Sequence, residues 1–383
     1  MKKRKLPLPL PCFIIAAVCV IAMVVCLVVS SLLPKTLLDQ RAAEFFAASA
    51  PVPEPVQAGA EETTSEPLRY SQVSAFLARG VGYNYSGFMT FRQSIAKKLE
   101  SDGMIPASPT AHLWLDCASG EEHNMRLEGP ARSNSSITAT AIIGNFFYFH
   151  PTTILRGSII DPDGAAKDVI MVDDQTAWDV FGGLDIVGQT AKLNGEPCII
   201  GGVFKKEEND TIKNRIYVSF ELLAKVVRAP ELTVLEFVLP GPVTGYGLQV
   251  IYNESDNTGL LASLNSEDRI IVENSARFES STLLKTLKDY DSLVMQTREI
   301  ALPYWENSAR LMTVRAAIYL IIAIVLAVFP AVVVVILLVK LFRQRGLFKP
   351  WAIERFKTVR KSLEAKKEKE TAFEGSKNET EKK

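Results

Sequence analysis

AWDVFGGLDIVGQTAKLNGEPCIIGGVF, residues 177–204, carries the densest local order in the chain. Asp173 and Asp174 stand just ahead of an apolar-periodic run, Ala177, Trp178, Val180 and Phe181, so one of the two is placed to cap a short helix. Gly182-Gly183 supplies its left-handed stop. Beyond it, Gln189 to Leu193 and Pro197 to Phe204 flank Asn194-Gly195, a dipeptide that accepts positive φ at both central positions and therefore selects a tight hairpin. Pro197 lacks a ladder N–H and belongs at an edge or a strand start, while Gly201-Gly202 predicts a bulge or a close backbone approach.

Working outward, the pattern from Tyr70 to Leu77 predicts a first strand, and Phe91, Ile95 and Leu99 form one helical stripe. His112 to Ala118 predicts a second strand with Leu113, Leu115 and Cys117 on its better-buried face. Ile137 to Ile143 and Ala166 to Val172 extend the series, with Asp161-Pro162-Asp163-Gly164 as turn chemistry between them. Leu232 to Leu239 is a further alternating strand stopped by Pro240-Gly241-Pro242, followed by a glycine-bearing stretch near Tyr246 and a strand from Arg269 to Val272. A helix from about Ser281 carries Leu283, Leu287, Tyr290 and Val294 at three- and four-residue steps.

Two apolar runs bracket this region. Pro11 to Leu33 is uncharged over 23 residues, long enough to cross a bilayer, and its length favours an uncleaved anchor over a signal peptide. Lys2, Lys3, Arg4 and Lys5 precede it, and Lys340, Arg343, Arg345 and Lys349 follow the second run, Ala316 to Val339, so both termini are expected in the cytoplasm and the centre outside. Pro330 predicts a kink in the second run. Leu37 to Phe46 is expected to continue the first helix, and the Pro- and Glu-rich stretch Ala50 to Leu68 to form a disordered tether. Tyr304-Trp305 suits either a headgroup position or core packing. Ala352, Phe356, Val359 and Leu363 share one stripe of a basic amphipathic helix, ahead of a disordered tail from Glu364. In that segment Trp351, Arg355, Phe356, Lys357, Arg360 and Lys361 are the candidate contacts, to anionic lipid as the favoured reading or to a cytoplasmic subunit gripping Trp351 and Phe356.

The fold class this predicts is α+β: a two-span membrane protein whose transmembrane helices flank a large extracytoplasmic α/β core domain with an inserted, mostly-β subdomain. The expected boundaries are a basic N-terminus over 1–10, spans at 11–33 and 316–339, a stalk and linker over 34–68, and the core domain over 69–302 with its insertion at about 145–228. Residues 303–315 form a pre-membrane segment and 340–383 a cytoplasmic tail.

Composition excludes several functions. Lysine plus arginine and aspartate plus glutamate both number 43, so there is no basic surplus for nucleic acid. No glycine-rich loop ends in Gly-Lys-Ser/Thr, and no Gly-x-Ser-x-Gly, His-Glu-x-x-His or Cys-x-x-Cys pattern occurs, so no catalytic residue, metal site or cofactor is expected. His112, His123 and His150 are widely separated and read as structural residues. Cys12, Cys19 and Cys26 share a face of the first apolar run; Cys117 and Cys198 are read as buried thiols, with a bridge between them left open.

The block at 177–204 resembles the periplasmic core domain of macrolide-exporter-type ABC permeases, the MacB-like core. The resemblance rests on Ala177, Phe181, Gly182, Val187, Gly188, Asn194, Gly195, Gly202 and Val203, with Ile216-Tyr217-Val218 similar to that family's next strand and Ile143 to Phe147 to its approach to the insertion. It extends loosely from about Tyr70 to about Ile300. What the resemblance implies is a non-catalytic membrane component whose ectodomain relays conformational change driven by a fused or separate ATPase. Its partners would be membrane lipid, a second copy or other membrane subunits, and a separate ABC ATPase subunit. Such permeases carry one helix before the domain and three after it, whereas this sequence shows one and one and no fused ATPase. The competing reading is an envelope sensor or adaptor that binds a peptide, glycan or protein without transport.

Overall fold

The computed structural model describes residues 9–49, 69–104, 106, 112–241, 243–294 and 299–380, and beyond residue 342 it describes a side chain only at 360. The expected tether at 50–68 lies outside the described residues. So do the four basic residues ahead of the first span and the side chains of Trp351, Arg355, Phe356, Lys357 and Lys361.

The chain opens with α1 (Leu10–Leu32), two 3-10 turns (Leu33–Thr36 and Leu38–Gln40) and α2 (Ala42–Ser49). The first helix therefore does not run on to Phe46 as expected. Pro34 suits the start of a tight turn, Leu37 leaves the helical region, and the redirected chain buries Ala42, Ala43 and Phe46 against a sheet. Then come β1 (Tyr70–Leu77), α3 (Tyr85–Ser101, capped by the Asn84 side chain accepting from the Gly87 N–H), β2 (Leu115–Glu128), β3 (Ser133–Gly144), α4 (Phe146–Phe149), β4 (Ile154–Gly157) and β5 (Val169–Asp173). After α5 (Asp174–Thr176) the helix continues as a π turn over Ala177–Phe181; β6 (Thr190–Leu193), β7 (Glu196–Phe204), β8 (Arg215–Ser219) and α6 (Phe220–Val226) follow. The last elements are β9 (Val234–Pro240), α7 (Tyr246–Ile251), β10 (Arg269–Glu273), α8 (Ser280–Lys288), α9 (Tyr290–Val294) and α10 (Tyr304–Thr380).

Three expectations are corrected. The second strand starts at Leu115 and runs ten residues past Ala118, and it is buried on both faces from Asp116 to Gly120 because helix α3 packs on one side and the α4 layer on the other. The helix expected from Ser281 to Val294 breaks at Asp289, and Tyr290, which would have continued the stripe, is exposed. Residues from Glu364 to Thr380 are helical rather than irregular; alanine, glutamate and lysine all favour helix, and their mixed charges allow i,i+4 pairing.

The molecule divides into two units, residues 1–28 with 321–383 and residues 29–320. The first holds most of the two apolar helical stretches: Leu10–Thr36 and Tyr304–Phe342 include windows long and apolar enough to cross a membrane, and Ile14, Val18, Ile21, Val325, Val328 and Val332 are exposed along them. The helical assignment passes through Pro330 without interruption.

The second unit is built on one mixed sheet in the order β10-β1-β9-β2-β3-β8-β5-β7-β4, with β6 pairing both β2 and β7. These pairings close a circuit: β2, β3, β8, β5, β7 and β6 are hydrogen-bonded in a ring, and four of the six strands come from residues 145–228. Met125, Leu127, Ile137, Ile170, Leu193, Cys198, Ile200 and Val218 from these strands are buried in one continuous core with α3. On β1 and β9, alternate residues serve two cores: Val73, Ala75, Leu77, Leu235 and Phe237 face the α3 side, and Phe76, Val234 and Val238 face the side covered by α2, α4 and the start of α10.

The hairpin is a two-residue turn with Asn194 at φ 47° and Gly195 at φ 91°, the left-handed pair expected of Asn-Gly. Gly201 falls at a register shift between β5 and β7, the bulge its sequence predicts, and a Cβ at Gly202 would lie 2.5 Å from the Ser158 carbonyl oxygen. Nothing lies within 4 Å of a Cβ built on Gly195, so a substitution there meets only backbone strain. Gly195→Val should cost about 1–2 kcal/mol. Thermal unfolding of the detergent-solubilised chain checks this, and an unchanged midpoint would contradict the turn.

Candidate functional site

One buried polar row crosses β1, β9 and β2 on the α4-side face of the sheet. Ser74 on β1, Glu236 on β9 and Cys117 on β2 stand directly opposite one another in register, which places their side chains in line on that face. All three are buried, Glu236 to 1% exposure, and a carboxylate so placed must be paired and hydrogen-bonded. Ser74 Oγ donates to Glu236 Oε1 at 2.7 Å, and Asn274 Nδ2 donates to Ser74 at 2.8 Å. Cys117 Sγ lies 3.8 Å from Glu236 Oε2. The same oxygen makes a short contact with His150 Nε2.

His150 closes the turn after α4, where Phe146 and Phe149 fix the backbone by burying their rings. Its Nδ1 contacts Asp39 Oδ1 at 2.9 Å, and its ring lies 4.1 Å from that of Trp305. Burial alone would lower the His150 pKa, but the Glu236 charge and the hydrogen bonds to Asp39 and Glu236 outweigh it and hold the pKa at about 9, so the ring is an imidazolium at neutral pH. The Cys117 thiol is pushed well above its ordinary value, by burial first and by the Glu236 charge second. The indole N–H of Trp305 is buried without a hydrogen-bond partner.

A second cluster sits beside the first, since Gln40 follows Asp39. Arg277, just after β10, grips Glu306 with two bonds of 2.6 and 2.8 Å, and its Nη1 also donates to Gln40 Oε1 at 3.3 Å. Arg310 Nε adds a bond to Glu306 at 2.9 Å. Gln72 on β1 clasps the N-terminal segment through the Asp39 carbonyl and the Ala42 N–H. Ser30 Oγ in the last turn of α1 donates to the Ala316 carbonyl of α10 at 3.0 Å. Counted together, Arg277, Arg310 and the His150 imidazolium balance Asp39, Glu236 and Glu306. Both stretches of chain that continue into the apolar helices, 29–49 and 304–320, are thus held to the sheet by buried polar contacts. Trp305 belongs to this core, which decides between the two readings of Tyr304-Trp305.

The residues singled out by sequence lie elsewhere. Phe181, Gly182, Val187, Gly188, Asn194, Gly195, Gly202 and Val203 build the far half of the sheet. Gly182 and Gly188 take positive φ, Val203 is fully buried, Phe181 is half-buried and Val187 is exposed. Asn194 does more than turn the chain: its Oδ1 accepts from the Arg126 N–H at 2.8 Å and its N–H donates back to the Arg126 carbonyl, locking the hairpin to β2. Cys117 and Cys198 are both free thiols. Arg360 is exposed on α10. The junction leaves one signal in the sequence: Glu236 is the single charge in the otherwise apolar strand LTVLEFVLP. Its partners, being 86 residues or more away, leave no local trace.

A separate cleft of about 610 Å³ is lined by Arg92, His112, Trp114 and Asp116, among others, with Arg92 Nε and Asp116 Oδ2 paired at 2.5 Å.

Residues 116–255 match the family described as the MacB-like periplasmic core domain, which bears out the likeness read from the hairpin block. Among solved structures the chain is similar to the periplasmic region of MacB from Actinobacillus actinomycetemcomitans, at 13% identity over 59% of this chain and 94% of that one, with a TM-score of 0.40. It is also similar to the extracellular domain of the noncanonic ABC-type transporter YknZ from Gram-positive bacteria, at 15% identity over 47% of this chain and 88% of that one, with a TM-score of 0.34. No curated protein matches.

Removing Glu306 would strand Arg277 and Arg310, both at most slightly exposed. Glu306→Ala should destabilise the chain by about 3–5 kcal/mol, whereas replacing Arg277, Glu306 and Arg310 together with methionine should cost far less, since breaking a buried ion cluster costs more than deleting it whole. Chemical unfolding of the two variants checks this; equal losses in both would contradict it.

Proposed function

We propose that the chain is a non-catalytic membrane component of the ABC-permease type, with its domain over residues 69–302 outside the membrane and both termini in the cytoplasm. Its ectodomain relays movement of the membrane helices. The observation that carries this reading is the double attachment just described. Both chain segments that lead into the apolar helices are tied to one face of the sheet through the charges of His150, Arg277 and Glu306. A shift at either segment strains buried ion pairs rather than sliding over an apolar surface, so it passes into the sheet. The match to the MacB-like core supports the same reading. The polar cluster is closed to solvent, which suits a structural joint better than a site that must admit substrate.

A nucleotide-binding subunit is the partner this role requires, because no phosphate-binding loop is present in the chain. Trp351 and Phe356 beyond the second apolar run are the anchors we assign to it, with Arg355, Lys357, Arg360 and Lys361 attracted to anionic lipid. Affinity purification from native membranes should recover an ABC ATPase, and Trp351→Ala with Phe356→Ala should abolish its capture while membrane attachment persists. Failure to recover an ATPase at any expression level would favour the second reading, an envelope sensor or adaptor that binds a peptide, glycan or protein without transport, with the cleft at Arg92 and Trp114 as its candidate site.

Topology is tested separately. Protease added outside intact cells or spheroplasts should cut within residues 50–68; cutting only after the cells are opened would reverse the orientation.

A further inference from the structure

The proposed relay leaves one group unexplained. It requires the charges of His150, Glu236 and Asp39, but it has no use for the thiol of Cys117, which alanine or serine could replace within the packed row.

We propose that Cys117, His150 and Glu236 together bind a zinc ion inside the domain. The three donors are buried, come from three separate segments of the chain, and offer ligand atoms that all lie within 4.8 Å of one another. A thiolate, an imidazole nitrogen and a carboxylate oxygen form a donor set that suits zinc and discriminates against magnesium and calcium, which take oxygen ligands.

The geometry fits zinc on the Cys117–Glu236 edge, is adjustable on the His150–Glu236 edge, and keeps Cys117 and His150 within 4.8 Å of each other on the third. Tetrahedral zinc with Zn–S near 2.3 Å and Zn–O near 2.1 Å sets sulfur and oxygen about 3.6 Å apart. Cys117 Sγ and Glu236 Oε2 are 3.8 Å apart. His150 Nε2 and Glu236 Oε2 are drawn closer by the proton between them, and an ion in its place asks them to part to about 3.4 Å, a small rotation of two side chains. The supporting contacts are already in place. Asp39 holds His150 Nδ1, the carboxylate-on-imidazole arrangement that fixes the tautomer and orientation of a metal-bound histidine, and Ser74 occupies Glu236 Oε1, leaving Oε2 for the ion.

Charge balance also permits the exchange. In the protonated form the row carries an imidazolium and a neutral thiol. Zinc binding releases one proton from His150 and one from Cys117 and brings two positive charges, so the net charge of the buried cluster is unchanged and its balance against Arg277, Arg310 and Glu306 survives.

The test uses the full chain purified in detergent without chelator. Metal analysis after loading with zinc and desalting should find about one zinc per chain, and potentiometry about two protons released per ion bound. Cobalt in place of zinc should give a thiolate-to-cobalt charge-transfer band, retained in a variant with Cys117 as its sole cysteine. Cys117→Ser and His150→Gln should each lower zinc retention at least tenfold. Zinc retained undiminished by Cys117→Ser would assign it to adventitious surface sites and overturn the proposal, as would the absence of the cobalt band from both the wild-type and single-cysteine chains. The relay stands or falls on ATPase capture, so the two outcomes are separable.

Discussion

A carboxylate buried in the middle of a sheet face sets the terms for everything packed upon it. Glu236 faces the α4 side of β9 because the strand alternates and its neighbours Val234 and Val238 face the same way. Left alone in that interior the charge would cost several kcal/mol, so a cation must reach it. His150 is that cation, and the aromatic turn at Phe146–Phe149 delivers it. An imidazolium buried there needs more than one acceptor and an aromatic lid, which Asp39 and Trp305 provide. The docking of residues 29–49 thus follows from neutralising a single strand residue, and Trp305 brings the start of α10 against the same ring.

The far half of the domain answers a different constraint. Strand β2 is long enough to pair with β9 at its start, with β3 along its length and with β6 at its end, and this overreach closes the ring of strands. Arg215 lies on the Tyr217 side of β8, outside the core shared with α3, with its guanidinium over the Tyr304 ring. It bonds Asp210 and Glu121 through its guanidinium and Thr140 on β3, while its backbone N–H donates to Asp173, so one buried cation ties β8 to β2, β3 and β5. The hairpin at Asn194-Gly195 completes the ring from the other side through Arg126. Both halves therefore share β2, and a displacement of that strand is felt in each.

How much of this was legible in the sequence depended on range. The turn at Asn194-Gly195, the cap at Asp173 accepting from the Thr176 N–H, the left-handed Gly182 and the bulge at Gly201 are set by two to five residues each, and all are as read. Strand β1 begins and ends where its pattern says. Strand β2 was read too short because the polar stretch Gly120 to Asn124 has no alternating pattern; its strand conformation is imposed by pairing with β3. Leu37 to Phe46 misled for the opposite reason, as its helical spacing is real in α2 while the turns at Pro34 and Leu37 redirect the chain before it. The buried junction was invisible as a whole. A histidine reads as structural when its two carboxylates are brought in by the fold, and only Glu236 within an apolar strand betrayed a hidden partner.

An apolar joint would have been at least as stable as this charged one, since replacing buried ion pairs by well-packed hydrocarbon is often neutral or favourable. What charges change is the response to displacement. Hydrocarbon surfaces lose contact gradually as they slide, whereas the two bonds between Arg277 and Glu306 exist only over a few tenths of an ångström, and parting them leaves Arg277 with only neutral amide acceptors in a dry interior. On the proposed relay, small movements of residues 304–320 are resisted steeply and carried into the sheet instead of being absorbed at the joint. A joint of this kind either holds or breaks, which is the property a rigid coupling between a membrane helix and a folded domain requires.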